Sequence, residues 1–259
     1  MTGVTALGWQ NYVKTAILAA NSVAPNMGIS NIANDQGAAA SGWQTAAGVV
    51  TGAGPLFTAK PQAMGLPWGA VGVFRTNLTN NAVVTFQLIL AGSIISSVLV
   101  TAVAGQAVWI PPVAILADSA QIVISDPGNP DGFINVPLCY AGPLWFPLTG
   151  ASFSSTQGRD DQVVEATTRG GQEWPTLYWQ RRRFNLELGG VRASEVWPQI
   201  DALEIVARIG TNVLLIPNIA DPMLQNAALF GRLTPTADIS YPYMGADRRA
   251  WKANVTERL

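Results

Sequence analysis

Val83-Val-Thr-Phe-Gln-Leu-Ile-Leu-Ala-Gly-Ser-Ile-Ile-Ser-Ser-Val-Leu-Val-Thr101 carries no charge, and neither does the rest of the chain between Thr76 and Ala117. Extended to Ile110, the stretch is long enough to cross a bilayer as a helix. Its fine structure predicts otherwise. In Val84-Thr-Phe-Gln-Leu88 the apolar residues alternate with Thr85 and Gln87, the period of a half-buried strand. Gly92-Ser93 breaks the run, and Ile94–Thr101 resumes it with many β-branched residues. Gly105-Gln106 breaks it again before Val108-Trp-Ile110, and Pro111-Pro112 closes it. Short strands separated by small turns fit the core of a β-sandwich. Membrane insertion is therefore not expected, and the N-terminus has none of the features of a signal peptide.

Working outward, strands are expected at Ala70–Arg75, Val83–Leu90, Ile94–Thr101, Ala107–Ile110, Gln121–Ser125 and Ile134–Tyr140. Asp126-Pro-Gly-Asn-Pro-Asp-Gly132 is a dense turn signal between the last two. Upstream, Val13–Ala20 fits a short helix or a strand, and residues 21–37 are rich in turn formers. Residues 1–148 thus read as a jelly-roll-like β-sandwich domain. The polar, Gly-rich stretch 149–176 reads as a linker or arm.

Residues 177–259 read as a smaller antiparallel β-sandwich or barrel with one flanking helix. Phe184, Leu186 and Leu188 share one strand face while Arg183, Asn185 and Glu187 share the other. A helix is expected at about 194–209, with Ser194 as N-cap and Gly210 as a left-handed C-cap. Val196, Ile200, Leu203 and Ala207 would form its apolar stripe. Strands Asn212–Ile216, Ala228–Leu233, Thr236–Ser240 and Arg249–Glu257 follow. The fold class is mainly β.

Composition excludes more than it assigns. Only 12% of the 259 residues are charged, half the usual share, and the net charge is −1. Nucleic-acid binding driven by a basic field is not expected. There is no His to act as general base or metal ligand, and the single Cys139 cannot form an internal disulfide or a thiolate zinc site. Ser and Thr lack a base to activate them. No enzyme activity, catalytic residue, metal or cofactor is expected. The few charges are also uneven: seven lie in residues 1–150, and 24 of the total (15 basic, 16 acidic) lie beyond. That contrast supports two domains.

The order strand, helix, four strands resembles the building block of tailed-phage tail tubes, distal tail proteins and baseplate hubs. The stretch from Trp179-Gln-Arg-Arg-Arg-Phe-Asn-Leu186 through Ala207-Arg-Ile-Gly-Thr-Asn-Val-Leu-Leu-Ile-Pro217 and Leu229-Phe-Gly-Arg-Leu233 to Trp251-Lys-Ala-Asn-Val-Thr-Glu257 is similar to tail-tip and baseplate proteins. The first half resembles the galactose-binding-type jelly rolls found on such proteins, at Asn34-Asp35, Trp43, Leu66-Pro67 and Gly72-Val-Phe-Arg-Thr76. Distal tail proteins usually carry the barrel first; here the order is reversed. The resemblance implies a structural component of a virion tail, assembled in the host cytoplasm as a ring or trimer. It would link the tail tube to host-contacting parts and contact other tail proteins.

The candidate residues follow from that reading. Trp43 and Trp68 could stack on a sugar ring, so a host surface glycan is a possible ligand in an alternative role as a carbohydrate-binding module. Arg75 is either a ligand contact or the partner of Asp35, tying the opening loop to the sheet. Arg181, Arg182, Arg183 and Trp179 are candidate interface residues, with Glu187, Glu195 and Asp201 of a neighbouring copy as the facing acids. A membrane-active protein using residues 83–110 is the third reading. Asp126, Asp131 and the pair Asp160-Asp161 are the close carboxylate groupings, which could serve hydrolysis or calcium binding; turn chemistry is the expected role of the first two.

Overall fold

The computed structural model describes residues 4–58, 65–167, 169–241 and 247–258. The charge-free stretch forms two paired strands, Val83–Leu90 and Ser93–Thr101, which pair from Val83↔Thr101 to Leu90↔Ser93 with a one-residue shift of register between Leu88 and Ile89. Ala91 (φ 49°) and Gly92 (φ 79°) form the turn between them. Two successive positive φ values make the hairpin turn that matches strand twist. Among the described residues no helix is long and apolar enough to cross a membrane.

This hairpin belongs to a six-stranded sheet with Ile17–Ala20, Pro55–Thr58, Ser119–Ser125 and Thr51–Ala53. Against it lies a three-stranded sheet of Ala107–Trp109, Ala70–Phe74 and Leu138–Gly142. Val84, Phe86, Leu88, Ile122 and Ile124 from the first meet Val71, Val73, Trp109 and Ala141 from the second in one core. The expected strand over Ile134–Tyr140 is broken at Pro137 into Asn135–Val136 and Leu138–Gly142. Proline has no N–H to give the ladder.

The three-stranded sheet is buried on both faces. Its second face presents Ala70, Phe74, Val108, Leu138 and Tyr140 to Leu214, Ile216, Ala228 and Phe230 of the second half. That is why Asn212–Ile216 reads as an unbroken apolar run: Leu214 and Ile216 point to the first half, and Val213 and Leu215 to the helix side. The second half builds a six-stranded antiparallel sheet, in the order Ala6–Gly8, Asn212–Ile216, Leu229–Ser240, Arg249–Glu257, Glu173–Val191, Thr156–Thr167. Residues 6–8, although at the start of the chain, lie in this later sheet. The stretch 149–176 is no open linker, for it carries strand Thr156–Thr167 and the start of its partner. The expected strands Ala228–Leu233 and Thr236–Ser240 are one strand, irregular past Pro235.

The helix runs from Ala193 through Arg208, with wide π-type turns over Val196–Asp201, the stretch containing Pro198. It starts one residue earlier than expected. Glu195 accepts from the Arg192 backbone N–H at 3.1 Å, so Ser194 lies inside the first turn instead of capping it. At the other end Gly210 (φ 81°) donates to Ala207 O, and Thr211 donates to Val206 O. Those two bonds are the Schellman pattern, and Gly210 is its left-handed residue. Val196, Ile200, Leu203 and Ala207 bury against Leu186, Leu188, Trp251 and Val255 of the sheet. The molecule is therefore a stack: sheet, small sheet, sheet, helix.

Candidate functional site

All three arginines find a carboxylate partner within the chain, although the buried Nε atoms of Arg181 and Arg183 make no hydrogen bond. Arg182 makes the densest contacts: Nη2 and Nε bind the Glu257 carboxylate at 2.7 and 3.1 Å, and Nη1 donates to Asn226 O at 2.5 Å. Nη2 also donates to Gln106 Oε1 of the first half at 2.9 Å. Gln106 in turn donates to the carbonyls of Gln225 and Ala228. Gln225 closes the network with a two-way bond to the Val108 backbone, at 2.6 and 2.8 Å. This clamp sits beside the apolar seam between the halves. Burial would raise the Glu257 carboxyl pKa, but hydrogen bonds and charge from Arg182, with Arg75 adding charge, bring it below its ordinary value.

Arg181 and Arg183 both reach Asp160 on the adjacent strand, at 3.5 and 2.8 Å. Arg181 also lies over the Trp179 ring, 5.0 Å from its centre. Two of the facing acids are occupied as well: Glu187 pairs with Lys252 at 3.0 Å and Glu195 caps the helix. The arginine run is thus strand and seam structure, and a free rim role for Arg182 does not fit these contacts.

Trp43 and Trp68 are fully buried, so neither can stack on a sugar. Their indole N–H groups donate to Ser22 O (2.9 Å) and Ala117 O (2.8 Å), which satisfies the one polar atom each takes into the core. Arg75 does not meet Asp35. It sits at φ 57° just past strand Ala70–Phe74, with its charge felt at Glu257. Asp35 instead pairs with Lys14 and accepts from the Asn212 backbone N–H at 2.9 Å, tying the opening loop to the second half. Asp126 is a buried turn anchor, accepting from Thr79 N (2.9 Å), Thr79 Oγ1 (2.6 Å) and Asn129 Nδ2 (3.0 Å). Asp131 accepts from Asn77 Nδ2 at 2.8 Å. These carboxylates do turn work, as their Asn-, Pro- and Gly-rich setting implied.

Two surface features stand apart from this internal bookkeeping. The first is an arm. Strand Glu173–Val191 pairs with Arg249–Glu257 only from Arg183 onward, whereas strand Thr156–Thr167 follows it to Glu173. Beyond Gln162 and Trp179 the two legs pair with no third strand among the described residues. Val163, Val164, Trp174, Leu177 and Tyr178 there are 42–65% exposed. The sequence put Val163, Val164 and Trp174 in the linker or arm 149–176 and Leu177 and Tyr178 at the start of the second domain, and the boundary drawn between them split one apolar group. Trp179 anchors the arm's base, donating from Nε1 to Gln162 Oε1 at 2.6 Å.

The second is a cleft of about 340 Å³ at the junction of the halves, lined by Trp9, Gln10, Pro143, Leu144, Trp145, Phe146 and Gln199. Trp9 and Trp145 meet edge to face, with ring centres 6.1 Å apart. It is assembled from the first strand's exit, the connector between halves and the helix, so no local sequence pattern could reveal it.

No protein-family model matches the chain, and no curated protein does. Solved structures do match. The lectin domain of lectinolysin complexed with Lewis B antigen is 9% identical, over 52% of this chain and 97% of that one, with TM-score 0.40. The family 32 carbohydrate-binding module of C. perfringens NanJ, complexed with galactose, is 13% identical over 55% and 99%, with TM-score 0.40. A Streptococcus pneumoniae fucose-binding module is 14% identical over 52% and 96%, with TM-score 0.41. Each of these three matches spans about half of this chain.

Proposed function

We propose that the chain is a non-enzymatic structural protein that assembles with copies of itself through its hairpin arm, as a tail-tip or baseplate component of a tailed-phage virion would. The arm is the observation that carries this reading. A two-stranded ribbon is marginal in water by itself, and this one displays five large apolar side chains and an unpaired edge. Adjacent strand residues such as Val163 and Val164 face opposite ways, so laying one face on a neighbour would bury part of this apolar set, and the free edge would extend the ladder. A second copy is the favoured occupant because so few charges, nearly balanced, offer little repulsion between copies. Closed rotational symmetry, a ring or trimer, is the usual result of such self-contact.

The test replaces residues 163–178 by Asn-Gly, which joins the paired Gln162 and Trp179 through a two-residue turn. Light scattering on the eluting protein should show an oligomer for the full chain and a monomer for the shortened one, both folded. A full chain that stays monomeric at high concentration and is absent from purified particles overturns the reading.

A second reading, recognition of a surface glycan, is favoured by the junction cleft. Its aromatic wall and uncharged lining suit a sugar better than the buried Trp43 and Trp68 do. Binding of the intact protein to a glycan array tests it.

A further inference from the structure

The cleft at the junction can be taken further than a general affinity for sugars. Pro143 and Pro147 flank the connector that forms one wall, and its backbone is pinned to the first strand by Leu7 N→Trp145 O (2.9 Å) and Trp145 N→Leu7 O (2.8 Å). Tyr140 Oη donates to Pro143 O at 2.5 Å from the layer beneath. The Trp9–Trp145 pair is held from both sides, so the wall exists before anything binds, and little ordering would be lost on binding.

The polar lining is as informative. Glutamines elsewhere at the seam, Gln106 and Gln225, spend their amides on backbone and side-chain partners. Gln10 and Gln199, which line the cleft, make no side-chain hydrogen bond among the described residues. Each amide offers a donor and an acceptor to the open space, which is what vicinal hydroxyls require, because every hydroxyl both donates and accepts. Among the described residues no charged side chain lines the cleft. An anionic ligand would find no counter-charge there, and an apolar one would leave both amides unpaired.

We infer that the cleft between Trp9, Trp145, Phe146, Gln10 and Gln199 binds one ring of a neutral saccharide. An apolar C–H face of the pyranose lies on the aromatic wall, and adjacent hydroxyls bond to the two glutamine amides. This rests on the glycan reading above and assigns it a place on the molecule that the sequence did not indicate.

The test uses the full chain and a panel of methyl glycosides of neutral hexoses and N-acetylhexosamines, followed by the indole N–H signals in two-dimensional NMR. At least one glycoside should shift the Trp145 or Trp9 signal saturably, with little change between low and high salt. Gln10→Ala and Gln199→Ala leave the aromatic packing in place, and each should weaken binding by about fivefold, the worth of one neutral hydrogen bond. Trp145→Phe should weaken it as well while keeping a ring against Trp9. Glycan binding that persists unchanged in all three variants overturns this site but leaves the glycan reading standing. No glycoside shift together with an empty glycan array overturns both. Preference for acidic sugars that fades with salt overturns the neutral-ligand assignment.

Discussion

Replacing Arg182 by Ala should weaken the join between the two halves more than any other single surface-type substitution. The side chain is 19% exposed and its partner Glu257 13%, so the pair is largely shielded from water. Truncation removes both bonds to the carboxylate, the bond to Asn226 O and the bond to Gln106 across the seam. It also leaves Glu257 with a charge, little solvent and only the Arg182 backbone N–H at 3.2 Å as a hydrogen-bond donor. Breaking one side of a buried pair costs about 3–5 kcal/mol, and residual exposure puts this case near the lower end, about 3 kcal/mol. For a chain of this length that is roughly 6–12 °C in the melting temperature. The acid limb gives a second signature. With Arg182 present the Glu257 pKa is depressed, so its contribution is full above the unfolded value, about 4.3, and fades as pH falls through the folded value. Without the Arg182 side chain, burial, the first cause and a raising one, is opposed only by the Arg182 backbone N–H and the charge of Arg75, so the pKa rises and protonation then relieves the variant. Its deficit should be largest near pH 7 and shrink below about pH 4. Thermal unfolding followed by circular dichroism at both pH values measures this, and Arg182→Ala/Glu257→Gln should recover part of the loss. A variant within about 1 kcal/mol of the parent at pH 7, or a deficit independent of pH, refutes the clamp.

Other outcomes follow from the same packing. Burial pushes the Cys139 thiol pKa well up, so a disulfide-exchange reagent should leave the native protein unlabelled at pH 8 and label it fully in denaturant. A Cβ on Gly142 would lie 2.1 Å from Gln10 O, so Gly142→Ala should displace the backbone beside the junction cleft and cost about 1–3 kcal/mol in a denaturant titration. Ala91 holds φ 49° in the hairpin turn, so Ala91→Gly should raise stability by up to about 1 kcal/mol, read from the same titration.

Much of the fold was legible because its signals are local. The alternation in Val84–Leu88, the apolar stripe Val196, Ile200, Leu203 and Ala207, and the helix stop at Gly210 each sit inside one element. What the sequence hid depends on distant partners. Nothing near residue 6 announces that Ala6–Gly8 will pair with Asn212–Ile216. Arg182 looked like a member of a basic run; Gln106, Asn226 and Glu257, which decide its role, lie 31 or more residues away from each other or from it along the chain. The tryptophans misled for a physical reason: a large ring in a sandwich is core material first, and Trp43 and Trp68 each find a carbonyl for the indole N–H inside. Aromatic residues that do reach the surface, among them Trp174 and Tyr178 on the arm and Phe146 at the cleft, lie outside the regular core strands.

Hydrogen–deuterium exchange across residues 162–178, compared between dilute and concentrated protein, tests the assembly claim most directly. A two-stranded arm without a third neighbour should exchange quickly in the monomer, while the strands around Phe86 and Leu215 stay protected. If the arm docks on a second copy, its amides should become protected as concentration rises, in step with the appearance of the oligomer. Arm amides that exchange at one rate across that range, while the protein remains a monomer, would contradict the account.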